Sequence, residues 1–165
     1  MAYLPNIPNY KPFYIQVAEG TAKDTQTWGM IAKSNPYPAL PEPKEPFKND
    51  WKDQDGDDEY VDEIFYKPIE FSVGFYIKTY ATNSDSAVKI LHQQLDGFFA
   101  LVKAGQIMTY DSYTGIGFQK VRYNGYKEES FIARDNWARL ICTISFKAND
   151  PITRIIYSNG SLVEE

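Results

Sequence analysis

Residues 66–81 read YKPIEFSVGFYIKTYA, and in them Phe71, Val73, Phe75 and Ile77 alternate with Ser72, Gly74, Tyr76 and Lys78. Side chains that share a face at every second residue mark a strand with one side on a core. The strand is long, and Pro68 belongs at its beginning or on an edge, because a central strand would lose a ladder bond there.

Downstream the period changes. Ala87, Ile90, Leu91, Leu95, Phe98, Phe99 and Val102 recur at helical spacing as one apolar stripe, with Lys89, His92, Gln93 and Asp96 mainly opposite. Asn83, Ser84 or Asp85 supplies an N-cap, Asp85 and Lys89 form an i,i+4 pair, and Gly105 is a stop signal. The main helix is expected over about residues 84–104. Gly97 within it costs about 1 kcal/mol against Ala, which points to a close contact or to mere tolerance. After Gly105, QIMTY and GFQKVRYNGYKE read as two strands joined by DSYTG, and Asn124–Gly125 marks a further turn. In NWARLICTISFKAND, Leu140, Cys142, Ile144 and Phe146 alternate with Ile141, Thr143, Ser145 and Lys147, and Pro151 ends the strand. ITRIIY (152–157) reads as an edge strand, and 158–165 as a loose tail.

Upstream, KPFYIQVA (11–18) is expected to be a strand with Phe13, Ile15 and Val17 on one face, and Thr27–Ala32 a second short one. Pro36, Pro38, Pro41, Pro43 and Pro46 then remove backbone donors and make 34–49 an extended arm or loop. A proline-stiffened arm loses little entropy on docking to a neighbour. The acidic loop, about 50–63 within NDWKDQDGDDEYVDE, follows. With Gly56 at the sixth position of an EF-hand, Asp53 and Asp55 fall on ligand positions, but Trp51 takes the first position and Asp62 the last. Asp53, Asp55 and Asp57 are therefore a weak calcium candidate against a solvated turn, and no metal or cofactor is expected.

The 165 residues suit a single domain, 43% hydrophobic and 24% charged, with no run long enough to span a bilayer. The start, MAYLPNIPNY, lacks the basic and apolar regions of a secretory signal. The net charge of −5 opposes binding by phosphate neutralisation, though it allows DNA to pass. Cys142, the only cysteine, reads as a small buried hydrophobe. His92, the only histidine, reads as a surface partner of Asp96. No nucleophile with a base, metal set or phosphate cradle is present, so an enzyme is not expected. The nearest basic group is Lys120, Arg122 and Lys127 with Tyr123 and Tyr126, in which alternation places Lys120 and Arg122 on one face as intersubunit salt-bridge partners for the acidic segment. These elements predict a mainly β fold, a β-sandwich or rolled antiparallel sheet, with one amphipathic helix packed on it.

Together the proline arm, DWKDQDGDDEYV, the long strand, the helix, MTYDSYTGIGFQKVRY and the strand closing on FKANDP resemble tail proteins of phages and prophages of Bacteroidetes-type hosts. That group resembles the N-terminal belt domain of distal tail proteins, itself related to tail-tube proteins. The likeness spans about Thr25–Thr153. It rests most on Trp51, Asp55–Tyr60, Tyr110, Asp111, Tyr113–Gly115, Gly117, Gln119, Val121 and Arg122.

The resemblance implies a virion structural protein made in the host cytoplasm: a homohexameric ring joining the tail tube to tip or hub proteins, with DNA only in passage and no membrane insertion. Interface or channel candidates under it are Trp51, Asp55, Asp57, Asp58, Tyr60, Tyr113, Lys120, Arg122 and Tyr123. Distal tail proteins often carry a second, C-terminal domain, for which this chain ends too soon, so a tail-tube or tail-terminator subunit stays open. From the tyrosine-rich composition, so does a monomeric peptide- or carbohydrate-binding module.

Overall fold

The computed structural model describes residues 2–3, 10–33, 37–38, 40–49, 56, 58–59 and 63–165. The elements run β1 (Ala2–Tyr3), β2 (Phe13–Val17), β3 (Lys23–Asp24), a 3-10 turn η1 (Thr25–Trp28), β4 (Met30–Ala32), β5 (Lys48–Asn49) and β6 (Asp58–Glu59). The chain continues through β7 (Ile69–Tyr80), α1 (Ser84–Val102), β8 (Ile107–Asp111), β9 (Ile116–Arg134), β10 (Trp137–Ala148), β11 (Ile155–Ser158) and β12 (Ser161–Glu164). Antiparallel pairing gives a main sheet ordered β1-β7-β10-β9-β8-β2-β3, with β4 also on β7.

The expected mainly β fold with one helix is present, and its sheet is rolled. Asp24 in β3 and Met30 in β4 are six peptide steps apart, a reach of at most about 21 Å. In a flat sheet the same two strands would lie about 29 Å apart, six strand spacings. Rolling brings the edges together, and η1 joins them. It also carries Phe13 of β2 to ring-centroid distances of 6.1 Å from Phe75 on β7 and 6.2 Å from Phe146 on β10. These rings, with Ile15, Val73, Ile77, Phe71 and Phe118, form the core.

Helix α1 closes the core. Asn83 is its N-cap, with the side chain accepting from Ser86 N at 2.9 Å. Ala87, Leu91, Phe98 and Val102 are buried, while Phe99 stays about half exposed. Thr79 donates to Ala87 O at 2.7 Å and ties the helix to β7. The question raised by Gly97 resolves as a close contact: a Cβ there would lie 3.0 Å from Cδ1 of Trp28, whose indole meets Phe98 edge-on.

Four expectations need correcting. The 158–165 tail is the second strand of a hairpin. Asn159 and Gly160 both have positive φ, a two-residue turn chemistry suited to tight hairpins, and Leu162 is buried. The other Asn-Gly pair, Asn124–Gly125, is not a turn. Strand β9 runs through it, with Asn124 as the extra residue of a bulge between the Gly125–Ser145 and Tyr123–Phe146 pairs. The chain turns instead at Asp135–Asn136, between β9 and β10. The strand expected over Thr27–Ala32 begins only at Met30, because Asp24 caps a 3-10 turn by accepting from Gln26 N and Gly29 ends that turn in the left-handed region. Finally, the arm and acidic loop are not separate features: they pair with each other, as described below.

Asp150 organises the turn after β10. Its carboxylate accepts from Gln119 Nε2 at 2.7 Å and from the amides of Ile152 and Thr153 at 3.1 Å. Burial alone would raise its pKa, but these donors outweigh that effect and hold it well below the usual carboxylate range. A carboxylate depressed in the folded state stabilises above its unfolded pKa of 3.8, and that stabilisation is lost as pH falls from there toward the folded value. Asp150→Asn is therefore expected to lower the melting temperature at neutral pH, with the gap to wild type closing below about pH 3.8. Melting curves measured across acid pH check this, and a pH-independent gap would exclude the linkage.

Candidate interaction surface: a protruding arm

The segment leading to β5 and the segment returning from β6 run antiparallel. Lys48 and Asn49 pair with Glu59 and Asp58, Pro43 bridges Tyr66, Lys44 N donates to Phe65 O at 2.8 Å, and Lys67 N donates to Glu42 O at 2.7 Å. An exposed Lys67–Glu42 ion pair of 3.4 Å lies at the base. Proline suits this arrangement where its missing N–H would point away from the partner leg, as on an edge strand. Among the described residues, the proline arm and the far side of the acidic segment thus pair as two legs of one hairpin, with residues 50–57 between them in sequence.

The stem of this arm is apolar and uncovered. Leu40, Phe47, Ile64, Phe65 and Tyr66 are 37–81% exposed. Single exposed hydrophobes are ordinary, whereas five on one element are not. Sequence reasoning missed them because they follow neither a period of two nor one of 3.6. Their only signal is their position, flanking prolines and carboxylates. At the arm's root, Tyr37 packs on Phe71 and Phe118 of the core, and Pro38 borders a shallow groove with Glu70, Ser72, Asn124 and Ser145.

Trp51, Asp53, Asp55, Asp57 and Tyr60 lie outside the described residues, and Asp58 stands in β6. Tyr113 lies in the β8–β9 turn, half-buried, with its amide donating to Asp111 Oδ1 at 2.8 Å. Lys120 and Arg122 are both exposed, but Lys120 adopts a left-handed φ of 52° where the β8–β9 pairing shifts register. Tyr123 turns inward onto Phe99, with ring centroids 5.8 Å apart, away from Arg122. Cys142 is buried, and burial pushes its thiol up to about 12, with Glu129 and Glu128 adding to the effect. That thiol is no nucleophile at neutral pH. His92 and Asp96 are exposed on the outer side of α1.

Comparison with solved structures finds the same fold in the Dit protein (gp 19.1) of phage SPP1. The TM-score is 0.58 at 14% identity, over 89% of this chain and 53% of that one. The fold is phage tail-related. That solved structure is described as a paradigm of the hub adsorption apparatus in phages infecting Gram-positive bacteria, so the match carries the tail-related fold and not the Bacteroidetes-type host. The chain spans about half the length of SPP1 Dit. No protein-family model and no curated protein sequence matches it.

Proposed function

We propose that this chain is a non-catalytic structural subunit at the distal end of a phage tail, assembling as a homohexameric ring between the tail tube and the tip or hub proteins. The tail-related fold supports the setting. The observation that carries the assembly is the arm: an apolar stem exposed to water on an isolated subunit has a physical reason if a neighbour covers it. Strand β9 supports the same reading, because β8 pairs only with its first residues and, among the described residues, no strand pairs with the edge from Arg122 to Arg134. A ring satisfies such features through heterologous contacts that close on themselves. The ring is a virion component made in the host cytoplasm, with DNA passing through its centre. Among the described residues no helix is long and apolar enough to cross a membrane.

Mass measurement in solution, with electron microscopy of the same sample, tests this. The full chain is expected to form discrete rings. A variant in which residues 42–66 are replaced by a short Asn-Gly turn is expected to be folded and monomeric. A full chain that stays monomeric at every concentration overturns the reading, and long stacked rods would point to a tail-tube subunit instead.

A further inference from the structure

The face of β7, β10 and β9 that points away from the core is basic, in a chain whose net charge is −5. The register places Lys78, Arg122, Lys127, Arg134, Arg139 and Lys147 on it, against Glu70 and the bulge residue Glu129, whose carboxylate accepts from Thr143 Oγ1 at 2.7 Å. Two of its cross-strand pairs are of like charge: Lys78 faces Arg139, and Lys147 faces Arg122. Like charges directly opposite destabilise a sheet, and on its other side Lys147 faces Glu70. Cation–π contacts hold Lys78 over Tyr80 and Trp137 at 5.2 and 4.7 Å. Arg139 has a buried Nε with no hydrogen-bond partner. Half-buried Tyr76 and Ile141 lie in a band between the basic rows, and Tyr80 pairs with Trp137 beyond Lys78 and Arg139 at the end of the strands.

The chain contains a segment with the complementary pattern. Residues 50–63 hold eight carboxylates against one lysine, more negative charge than the whole chain's net −5. In sequence they lie between Asn49 and Ile64, next to the exposed Phe47, Ile64 and Phe65. The geometry points to the outer face of β7-β10-β9 as the seat of the arm of a second copy, acidic segment on the basic rows and apolar stem on the aromatic band. This inference rests on the ring reading and names its interface. The contact is heterologous, arm of one copy to face of the next, so it propagates around a ring.

Charge reversal with complementation tests it. Arg122→Glu with Arg139→Glu gives a face variant, and Asp53→Lys, Asp55→Lys and Asp57→Lys give an acidic-segment variant. The face variant converts both like-charged pairs into opposite ones, so its melting temperature should equal or exceed the wild type's. Each variant alone should need at least about tenfold more protein to assemble, and an equal mixture of the two should recover rings. Wild-type assembly by both variants overturns the inference and leaves the ring intact, whereas a monomeric wild type overturns both. Loss of assembly without recovery on mixing also overturns it, as does docking of each arm on its own subunit. Salt-sensitive binding of a labelled DNA duplex that the face variant loses while still forming rings would assign the face to nucleic acid instead.

Discussion

Gly117→Ala is expected to destabilise the protein by about 2–3 kcal/mol, as overpacking against a backbone does. Gly117 opens β9, opposite Tyr110, where the β11–β12 hairpin crosses the sheet. A Cβ there would overlap the carbonyl oxygen of Ile155 and lie 3.0 Å from that residue's own Cβ. Backbone cannot rotate aside as a side chain can, so the hairpin must shift as a unit. The shift would break several ties: the bridge from Phe118 to Arg154, the 2.7 Å hydrogen bond from Leu162 N to Gln16 Oε1, and the 4.3 Å stack of Tyr157 on Tyr14. Denaturant unfolding measures the loss. Limited proteolysis should show cleavage beginning after Pro151, while a melting curve equal to wild type's would mean that Gly117 is not a contact point.

The second large effect tests the roll. Phe13→Ala is expected to cost about 3–5 kcal/mol, the usual range for removing a buried aromatic ring. The more specific result is its coupling to Phe75. In sheet order β2 and β7 are four spacings apart, about 19 Å if flat, and side chains that distant add independently. In the rolled sheet their rings meet edge to face at 6.1 Å. A double-mutant cycle of Phe13→Ala and Phe75→Ala should therefore give a coupling of about 0.5–1.5 kcal/mol. Strict additivity would be incompatible with the closure.

The two tests address different layers of the molecule. The hairpin of β11 and β12 covers the outward side of β2, where Gln16 is buried by it, whereas Phe13 and Ile15 on the opposite side enter the core. This explains why β2 is buried on both faces although its neighbours alternate. It also separates the stability of the scaffold from the surfaces offered to neighbours. Neither Gly117 nor Phe13 touches the arm or the basic face, so partial unfolding and loss of assembly can be read independently.

Local periodicity by itself determined β7, α1, β10 and the inward identities of Phe71, Val73, Phe75, Ile77, Leu140, Cys142, Ile144 and Phe146, because a side chain's face follows from the backbone repeat wherever one side must be buried. A cap among Asn83, Ser84 and Asp85, and Pro68 just ahead of Ile69, were equally legible, since capping and proline sterics are local, though only the structure selected Asn83. Tertiary structure decided what the two Asn-Gly pairs do. The dipeptide permits a tight turn, but Asn124–Gly125 is held extended by pairing with β10, while Asn159–Gly160 has no such partner and turns. It also decided that the proline and acidic segments form one arm and that Arg122, Lys127, Arg139 and Lys147 share a face. Alternation assigns each residue a side of its own strand. Only the register between strands, set by non-local hydrogen bonds and two bulges, brings those sides together.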